Sequence, residues 1–283
     1  MIKVEQLKYT YHKEEVPAVN QISFEIDQGE IFGFLGPSGA GKSTTQKVLI
    51  KLLKDFKGRV EVMDKPLQNW DHAYYNHIGV GFELPNHYLK LSALENLRFF
   101  ASFYDRKVQD PLPLLEKVGL GDAAEKRVSE FSKGMKMRLN FVRALMHDPE
   151  ILFFDEPTSG LDPVNGQILK DIILDLKAQG KTIFITTHSM QDAEALCDRV
   201  AFIVEGKIAS IESPRALKLQ YGKRSVQVEY LEDGLKQAEF DLDQLGNNPE
   251  FLQLIKEKNI QTIHTKEASL EEVFIKITGT RLS

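Results

Sequence analysis

The sequence has little or none of several features that mark particular classes of protein. It has one cysteine, Cys197, so an internal disulfide and a multi-cysteine metal site are both excluded. We expect this small apolar side chain to be buried on a helix. No run of about eighteen apolar residues occurs, and no segment is therefore predicted to cross a bilayer. The net charge of -5 disfavours non-specific binding to nucleic acid.

The amino terminus also lacks the pattern of a secretion signal. The first stretch, MIKVEQLKYTYHKEE, is charged throughout and contains no apolar core. We therefore expect a cytoplasmic protein that reaches a membrane only through a partner. Of the 283 residues, 42% are apolar and 27% are charged, which is ordinary for a globular protein with one large domain or two smaller ones.

Apolar periodicity predicts strands that alternate with helices. Short apolar runs typical of buried strands occupy residues 31–35, 151–154 and 182–185. Helical spacing is found at residues 42–53, 135–146 and 163–179. Asp162 is the expected N-cap of the last helix, and Gly180 its end. This alternation predicts an α/β fold with a mainly parallel sheet that is covered on both faces.

A domain boundary is predicted at Ser213-Pro214. Before it, helical patterns dominate residues 91–146, where breaks are expected at Pro111, Pro113, Gly119 and Gly121. Beyond it, residues 225–230 have a strand pattern, and helical patterns follow at 248–258 and 269–278. We therefore expect a first domain over residues 1–213 and a small α+β accessory domain over 214–283.

A glycine-rich turn carries the first chemical motif. Residues 36–43 match the G-x4-G-K-[ST] phosphate loop, and a strand before it with a helix after it argues against an ordinary surface turn. Backbone N–H groups of such a loop wrap a phosphate. Lys42 is expected to reach the β- and γ-phosphates of ATP, and the Ser43 hydroxyl to bind Mg²⁺. The predicted nucleotide contacts are Gly36, Pro37, Ser38, Gly39, Ala40, Gly41, Lys42, Ser43 and Thr44.

The second motif is a buried strand that ends in two carboxylates, Asp155 and Glu156. Buried charge is costly unless something compensates it, and Mg²⁺ with a phosphate-bound water would do so. Asp155 is then predicted to hold the metal through water, and Glu156 to act as general base on the attacking water. The alternative is a strand that simply emerges into solvent.

Further segments resemble motifs of the ABC ATPases. Residues 131–135 (FSKGM) resemble the family's signature motif LSGGQ, residues 157–162 (PTSGLD) its D-loop, and residues 186–188 (TTH) its switch loop. The resemblance covers roughly residues 1–215. It implies the P-loop NTPase cassette of this family, with a mainly parallel core sheet, an antiparallel β subdomain and a helical subdomain at about 85–149.

The resemblance also implies roles for single residues. Tyr11 would stack on adenine, and His188 would contact the γ-phosphate and help to hold the attacking water. Ser132 and Gly134, at the amino end of a helix, would bind the nucleotide of an opposite subunit. Asp162 of the D-loop belongs to the same nucleotide-binding set. Two ATP molecules would thus lie between two protomers, in a homodimer or a heterodimer.

Two places depart from the family pattern. Glu83 stands in the Q-loop, residues 78–97, where glutamine is usual, and its carboxylate is predicted to bind Mg²⁺ and to support catalysis. Lys133 and Met135 replace glycine and glutamine in the signature, while Ser132 and Gly134 remain. Phosphate binding is expected to survive there, and its effect on hydrolysis stays open.

The same signature and residues 268–279 resemble ATPases of drug- and antibiotic-resistance exporters of the daunorubicin-exporter type. An amphipathic helix capped by Ser269 explains the second segment equally well. We expect an ATP-hydrolysing exporter subunit, peripheral on the inner face of the cell membrane. Its transmembrane permease partner would dock near residues 83–97, in a groove lined by Leu84, Tyr88, Leu89 and Leu91. The sequence fits an ordinary core of the helical subdomain equally well.

Other functions within the same family are less consistent with the sequence. A DNA-repair type of ATPase would carry heptads or cysteines between Ser43 and Glu130, and a ribosome-associated factor would carry two sets of motifs. A degenerate cassette that only binds ATP stays open because of Glu83 and Lys133. The transported molecule is not indicated by the sequence.

Overall fold

β-Sheets form the framework of the chain, and the computed structural model describes residues 1–222 and 224–281. These residues divide into two compact units, Met1–Ser213 and Pro214–Arg281. No helix within them is long and apolar enough to cross a membrane.

The first unit contains two sheets. Its strands are β1 (Ile2–Tyr9), β2 (Val19–Ile26), β3 (Ile31–Leu35), β4 (Lys57–Val62), β5 (Lys65–Pro66), β6 (Ile78–Gly81), β7 (Ile151–Asp155), β8 (Thr182–Thr187), β9 (Arg199–Val204) and β10 (Lys207–Glu212). One sheet is antiparallel with the order β2-β1-β4-β5. The other has the order β10-β9-β3-β8-β7-β6 and is parallel except at β10. The fold is therefore the predicted α/β class with a mainly parallel sheet.

The order of the parallel strands positions the site. Strand β8 lies between β3 and β7, so the carboxyl ends of these three strands meet at one edge of the sheet. Every residue of β3 and β8 is buried, and so is β7 up to its terminal Asp155. Phenylalanines of β3, β7 and β8 pack with residues of the antiparallel sheet in one hydrophobic cluster. The three strand ends therefore rest on a rigid core.

The helices of the first unit are α1 (Lys42–Leu49), α2 (Tyr74–His77), α3 (Ala93–Ala101), α4 (Pro111–Lys117), α5 (Lys133–Leu145), α6 (Pro163–Ala178) and α7 (Met190–Leu196). Two predictions about them are wrong. Helix α1 ends at Leu49 rather than at residue 53, because Lys51 has a left-handed φ of +61°. Pro113 does not break a helix, since it lies in the first turn of α4, which begins at Pro111, and no intrahelical N–H bond is lost there.

The second unit is an α+β structure. Its elements are α8 (Pro214–Tyr221), β11 (Ser225–Leu231), β12 (Leu235–Asp241), α9 (Pro249–Glu257), β13 (Asn259–Lys266) and α10 (Leu270–Thr278). The strands form an antiparallel sheet with the order β12-β11-β13. Its small core consists of Val226, Val228, Phe240 and Phe251. Helix α10 begins with a capping box at Ser269, as its sequence predicts.

Candidate nucleotide site

The phosphate loop, residues 36–43, follows β3 and leads into α1. Two of its glycines are required by the backbone. A Cβ at Gly36 would lie 2.1 Å from the carbonyl oxygen of Ile203, and one at Gly41, where φ is +108°, would lie 2.5 Å from that of Ala18. The loop is therefore held against the neighbouring backbone in a form that side chains would prevent.

Lys42 is buried at the start of α1. Its Nζ donates hydrogen bonds to the carbonyl oxygens of Gly36 at 2.6 Å and Pro37 at 3.0 Å. Burial lowers the pKa of this ammonium, while the carboxylates of Glu156, Asp155 and Glu83 act in the opposite direction. The site thus concentrates negative charge around one buried cation.

Asp155 lies at the end of β7, beside the start of α1. Ser43 Oγ donates to Asp155 Oδ1 at 3.3 Å, and Thr186 Oγ1 donates to the same oxygen. A hydroxyl and carboxylates are the hard oxygen donors that Mg²⁺ prefers. No group of three or more His, Cys, Asp or Glu side chains suited to a metal occurs among the described residues. Ser43 and Asp155 therefore place two oxygen donors of this kind next to the phosphate loop.

Glu156 follows β7 in a left-handed conformation, with φ of +50°. Glu156 as a whole is only 8% exposed. Thr187 Oγ1 donates to Glu156 Oε2 at 3.1 Å, and His188 Nδ1 lies 2.8 Å from Glu156 Oε1. The His188 side chain itself is 65% exposed. The carboxylate is thus fixed from both sides by residues at the end of β8.

These groups surround one cavity of about 390 Å³. Its lining consists of Ser38, Gly39, Ala40, Gly41, Lys42, Ser43, Thr44, Glu83, Asp155, Glu156 and His188. Residues that are far apart in sequence therefore meet here, including Glu83 of the Q-loop. Tyr11 lies close by, because its hydroxyl is within 3.1 Å of Thr44 Oγ1.

The signature residues lie elsewhere in the same unit. Ser132 is the N-cap of α5 and accepts a hydrogen bond from the N–H of Met135 at 3.2 Å. The side chain of Lys133 passes over Gly160 of the D-loop, and Gly134 faces Leu161. The amino end of α5 is therefore adjacent to the D-loop, apart from the described lining of the phosphate-loop cavity.

Asp162 ends the D-loop and is engaged in helix capping. Its carboxylate accepts hydrogen bonds from the backbone N–H and the side-chain amide of Asn165, at 3.1 and 2.5 Å. These bonds lower the pKa of Asp162. The described contacts of this side chain are thus those of the predicted N-cap.

A second cavity, of about 520 Å³, lies in the helical part of the first unit. Its lining includes several aromatic side chains, among them Phe82, Tyr88, Phe100 and Tyr104. Leu84, Tyr88 and Leu89, of which Tyr88 lines the cavity, are 77%, 50% and 51% exposed, so they are not subdomain core. Leu91 is only partly exposed.

Some functional side chains were not assigned from the sequence. The hydroxyls of Thr186 and Thr187 bind Asp155 and Glu156, yet the segment 186–188 indicated a role only for His188. The feature of the sequence that could have indicated this role is the pair of threonines at the end of a buried apolar run. Cys197, at the end of α7, is buried as expected, and burial raises the pKa of its thiol.

Comparison with known proteins bears on both units. Residues 19–159 match the ABC transporter family, and residues 224–267 match the fluoroquinolone efflux ABC transporter C-terminal domain. A fluoroquinolones export ATP-binding protein of Mycobacterium tuberculosis (strain CDC 1551 / Oshkosh) is 54% identical over 285 residues, which covers 100% of this chain and 95% of the relative. A Nod factor export ATP-binding protein I of Burkholderia lata is 35% identical, with 93% of each chain covered.

Solved structures of ATP-binding cassettes are also similar to this chain. A dimeric ATP-binding cassette in a post-hydrolysis state bound to ADP and Pi superposes with a TM-score of 0.70 at 26% identity. The match covers 75% of this chain and 98% of the solved chain.

Proposed function

The chain belongs to the ABC transporter ATP-binding proteins of the drug- and antibiotic-export type, and from this membership we propose how its site works. It is the ATP-binding and ATP-hydrolysing subunit of an ABC exporter. Because export proteins match it over nearly its whole length, the DNA-repair, translation-factor and purely regulatory alternatives are set aside.

The phosphate loop is the proposed seat of the ATP phosphates. Backbone N–H groups at the start of α1 face an anion favourably, and Lys42 adds a charge next to them. The nearby carboxylates favour the protonated form of Lys42, and a bound triphosphate would favour it further. Lys42 therefore serves as the fixed cation of the β- and γ-phosphates, while Tyr11 stacks on adenine.

Ser43, Asp155 and Glu83 are the proposed holders of Mg²⁺. All three line one cavity, and the Ser43 and Asp155 oxygens already lie within hydrogen-bonding distance. When bound, the ion supplies positive charge that offsets charge on the phosphate oxygens. Thr186 keeps the Asp155 carboxylate oriented for this task.

Glu156 is the proposed general base for the attacking water. The observation that carries this assignment is its carboxylate, held between the Thr187 hydroxyl and the His188 imidazole in the cavity that also contains Lys42. A base must be oriented before it can accept a proton from water, and these two contacts provide the orientation. His188, which is largely exposed, can also reach the γ-phosphate.

Two copies of the chain, or this chain and a related one, are proposed to enclose two ATP molecules. Ser132 and Gly134 provide an anion site at the amino end of α5, which is 13 residues long. This site lies beside the D-loop, where it can receive the nucleotide of another subunit. The similar cassette that was solved as a dimer with ADP and Pi supports this arrangement.

The partner is a transmembrane permease, proposed to dock at the aromatic cavity beside Tyr88 and Leu89. Contiguous exposed apolar surface of this kind is typical of an interaction site. The chain would then be peripheral on the inner face of the cell membrane and touch it only through the permease. No nucleic acid takes part in this function.

We propose fluoroquinolone-type drugs as the exported cargo. Two findings support this: the relative that is 54% identical is a fluoroquinolones export ATP-binding protein, and the second unit matches a fluoroquinolone efflux domain. Co-expression of this chain with a transmembrane permease that binds it should lower the intracellular accumulation of a fluorescent fluoroquinolone. Unchanged accumulation, with active ATPase, would contradict the cargo and leave the ATPase assignment intact.

Replacement of Glu156 by glutamine tests the proposed mechanism. The amide keeps the size of the side chain but cannot accept the proton, so turnover should fall roughly 10²- to 10⁴-fold. ATP should still drive dimerisation, measured by light scattering with and without ATP. Phosphate release at the wild-type rate would show that Glu156 is not the base.

A further inference from the structure

The D-loop is tied to helix α7 by a hydrogen bond that the mechanism above does not use. Thr158 Oγ1 donates to Asp192 Oδ2 at 2.6 Å. The other carboxylate oxygen of Asp192 lies 3.2 Å from Lys170 Nζ of α6. The Asp192 side chain is only 16% exposed. A partly buried carboxylate thus connects the D-loop with two helices.

The same residue is linked back to Glu156 through the switch loop. The Asp192 N–H donates to Ser189 Oγ at 3.2 Å, and the Ser189 N–H donates to Thr187 Oγ1 at 3.0 Å. Thr187 Oγ1 in turn donates to the Glu156 carboxylate. Since Thr158 follows Glu156 by two residues, these bonds and the chain form a closed ring that contains the proposed base.

The ring surrounds a strained part of the backbone. Glu156 has φ of +50°, a conformation that is unfavourable for a residue other than glycine and persists only when its surroundings hold it. The Glu156 carbonyl also accepts a hydrogen bond from the N–H of Ser159, inside the D-loop. The orientation of Glu156 therefore depends on where the D-loop is held, and Asp192 holds it.

We propose that Asp192 is a positioning residue for ATP hydrolysis, which fixes the D-loop through Thr158 and thereby orients Glu156 against His188. This inference rests on the proposed role of Glu156 as general base. Loss of the Thr158–Asp192 bond should lower kcat, because it displaces the base. It should leave the KM for ATP nearly unchanged, because the phosphate loop is built on β3 and α1.

The ion pair with Lys170 provides a matched control. Lys170 binds the oxygen of Asp192 that Thr158 does not use, and it lies outside the ring. A carboxylate that only stabilised the fold would respond to the loss of either partner. A positioning carboxylate should respond only to the loss of Thr158.

The test is steady-state ATP hydrolysis by the purified full chain. We expect Thr158→Val and Asp192→Ala each to lower kcat about 10- to 100-fold, the size of effect that a small displacement of a catalytic group has. KM for ATP should stay within about twofold. The double variant should have about the same kcat as Asp192→Ala, since both substitutions break the same Thr158–Asp192 hydrogen bond. Asp192→Asn, which keeps an acceptor oxygen, should recover most of the loss, and Lys170→Met should keep the wild-type kcat.

The outcomes separate this inference from the function on which it rests. The positioning role would be overturned if Lys170→Met lost as much kcat as Thr158→Val, or if Thr158→Val kept the wild-type kcat. In either case a low turnover of Glu156→Gln would still support Glu156 as the general base. Wild-type turnover in Glu156→Gln would overturn the general base itself. If Asp192→Ala fails to fold, the nearly isosteric Thr158→Val decides the question alone.

Discussion

At the scale of the residue, we expect the charges around Lys42 to set the pH above which ATP hydrolysis declines. Burial lowers the pKa of Lys42, and three carboxylates including Glu83 raise it. Glu83→Gln removes one negative charge, so the pKa of Lys42 should fall further. The alkaline limb of kcat/KM for ATP should then move to lower pH.

Phosphate release measured between about pH 7 and pH 10 checks this shift, since kcat/KM reports the free enzyme. Glu125→Gln is a suitable control, because Glu125 is exposed and lies apart from the described lining of the cavity. An alkaline limb that stays in place in Glu83→Gln would mean that Glu83 does not act on Lys42.

A buried histidine should make the stability of the first unit sensitive to acid. His147 Nε2 lies 2.8 Å from the Ile78 carbonyl oxygen, and its ring stacks on Tyr104. Burial lowers the pKa of His147 to about 4, below the ordinary 6.5. The stability due to the neutral ring is complete above pH 6.5 and declines as the pH falls toward 4. The loss amounts to about 3 kcal/mol at most.

Urea unfolding at several pH values checks this sign. His147→Gln does not titrate and can still donate to Ile78, so its free energy of unfolding should decline less steeply below pH 6.5 than that of the wild type. It should also be less stable at neutral pH, because the stacking on Tyr104 is lost. Parallel pH curves for the two proteins would contradict the assignment.

Much of the site could be predicted at this scale because each key residue sits at the end of a recognisable element. Lys42, Asp155, Glu156 and His188 follow strands that end at one edge of the sheet, and they line one cavity. The bond between Thr158 and Asp192, and the role proposed for it, could not be predicted. Their bond joins residues 34 positions apart, and only the path of α6 and α7 brings them together.

At the scale of the element, helix starts were easier to predict than helix ends. Asp162 and Pro163 mark the start of α6 by chemistry that is local to the sequence. The end of α1 is different, because the apolar spacing continues to Leu53 while the backbone turns at Lys51. Strands β12 and β13 were missed because most of their residues are exposed, which leaves little alternation in the sequence.

The N-cap of α5 should have two separable effects. Ser132→Ala removes the bond to the Met135 N–H and should cost about 1 kcal/mol of stability. In the Glu156→Gln background it should also weaken ATP-driven dimerisation, since Ser132 is a proposed ligand of the second nucleotide. Ser269→Ala removes a comparable cap from α10 in the other unit. It should cost similar stability and leave dimerisation intact. Equal dimerisation in both variants would remove Ser132 from the nucleotide site.

At the scale of the whole molecule, the fold class followed from the alternation of strands and helices, but the surface proposed for the permease did not. The segment 83–97 is rich in apolar residues, and such a pattern fits a buried core as well as an exposed groove. In the structure, Tyr88 lines the cavity together with Phe82, Phe100 and Tyr104, and both Tyr88 and Leu89 are about half exposed.

Exposure of this surface has a consequence for coupling. Tyr88→Asp with Leu89→Asp should cost little stability, because both side chains are about half exposed, yet charge there should prevent an apolar partner segment from docking. We expect drug export from cells to be lost while the isolated subunit hydrolyses ATP at the wild-type rate. Leu219→Asp, at a 62% exposed position on α8, is the control and should export normally. Normal export by the double variant would place the permease elsewhere, whereas loss of ATPase as well would show that the groove supports the nucleotide site rather than the partner.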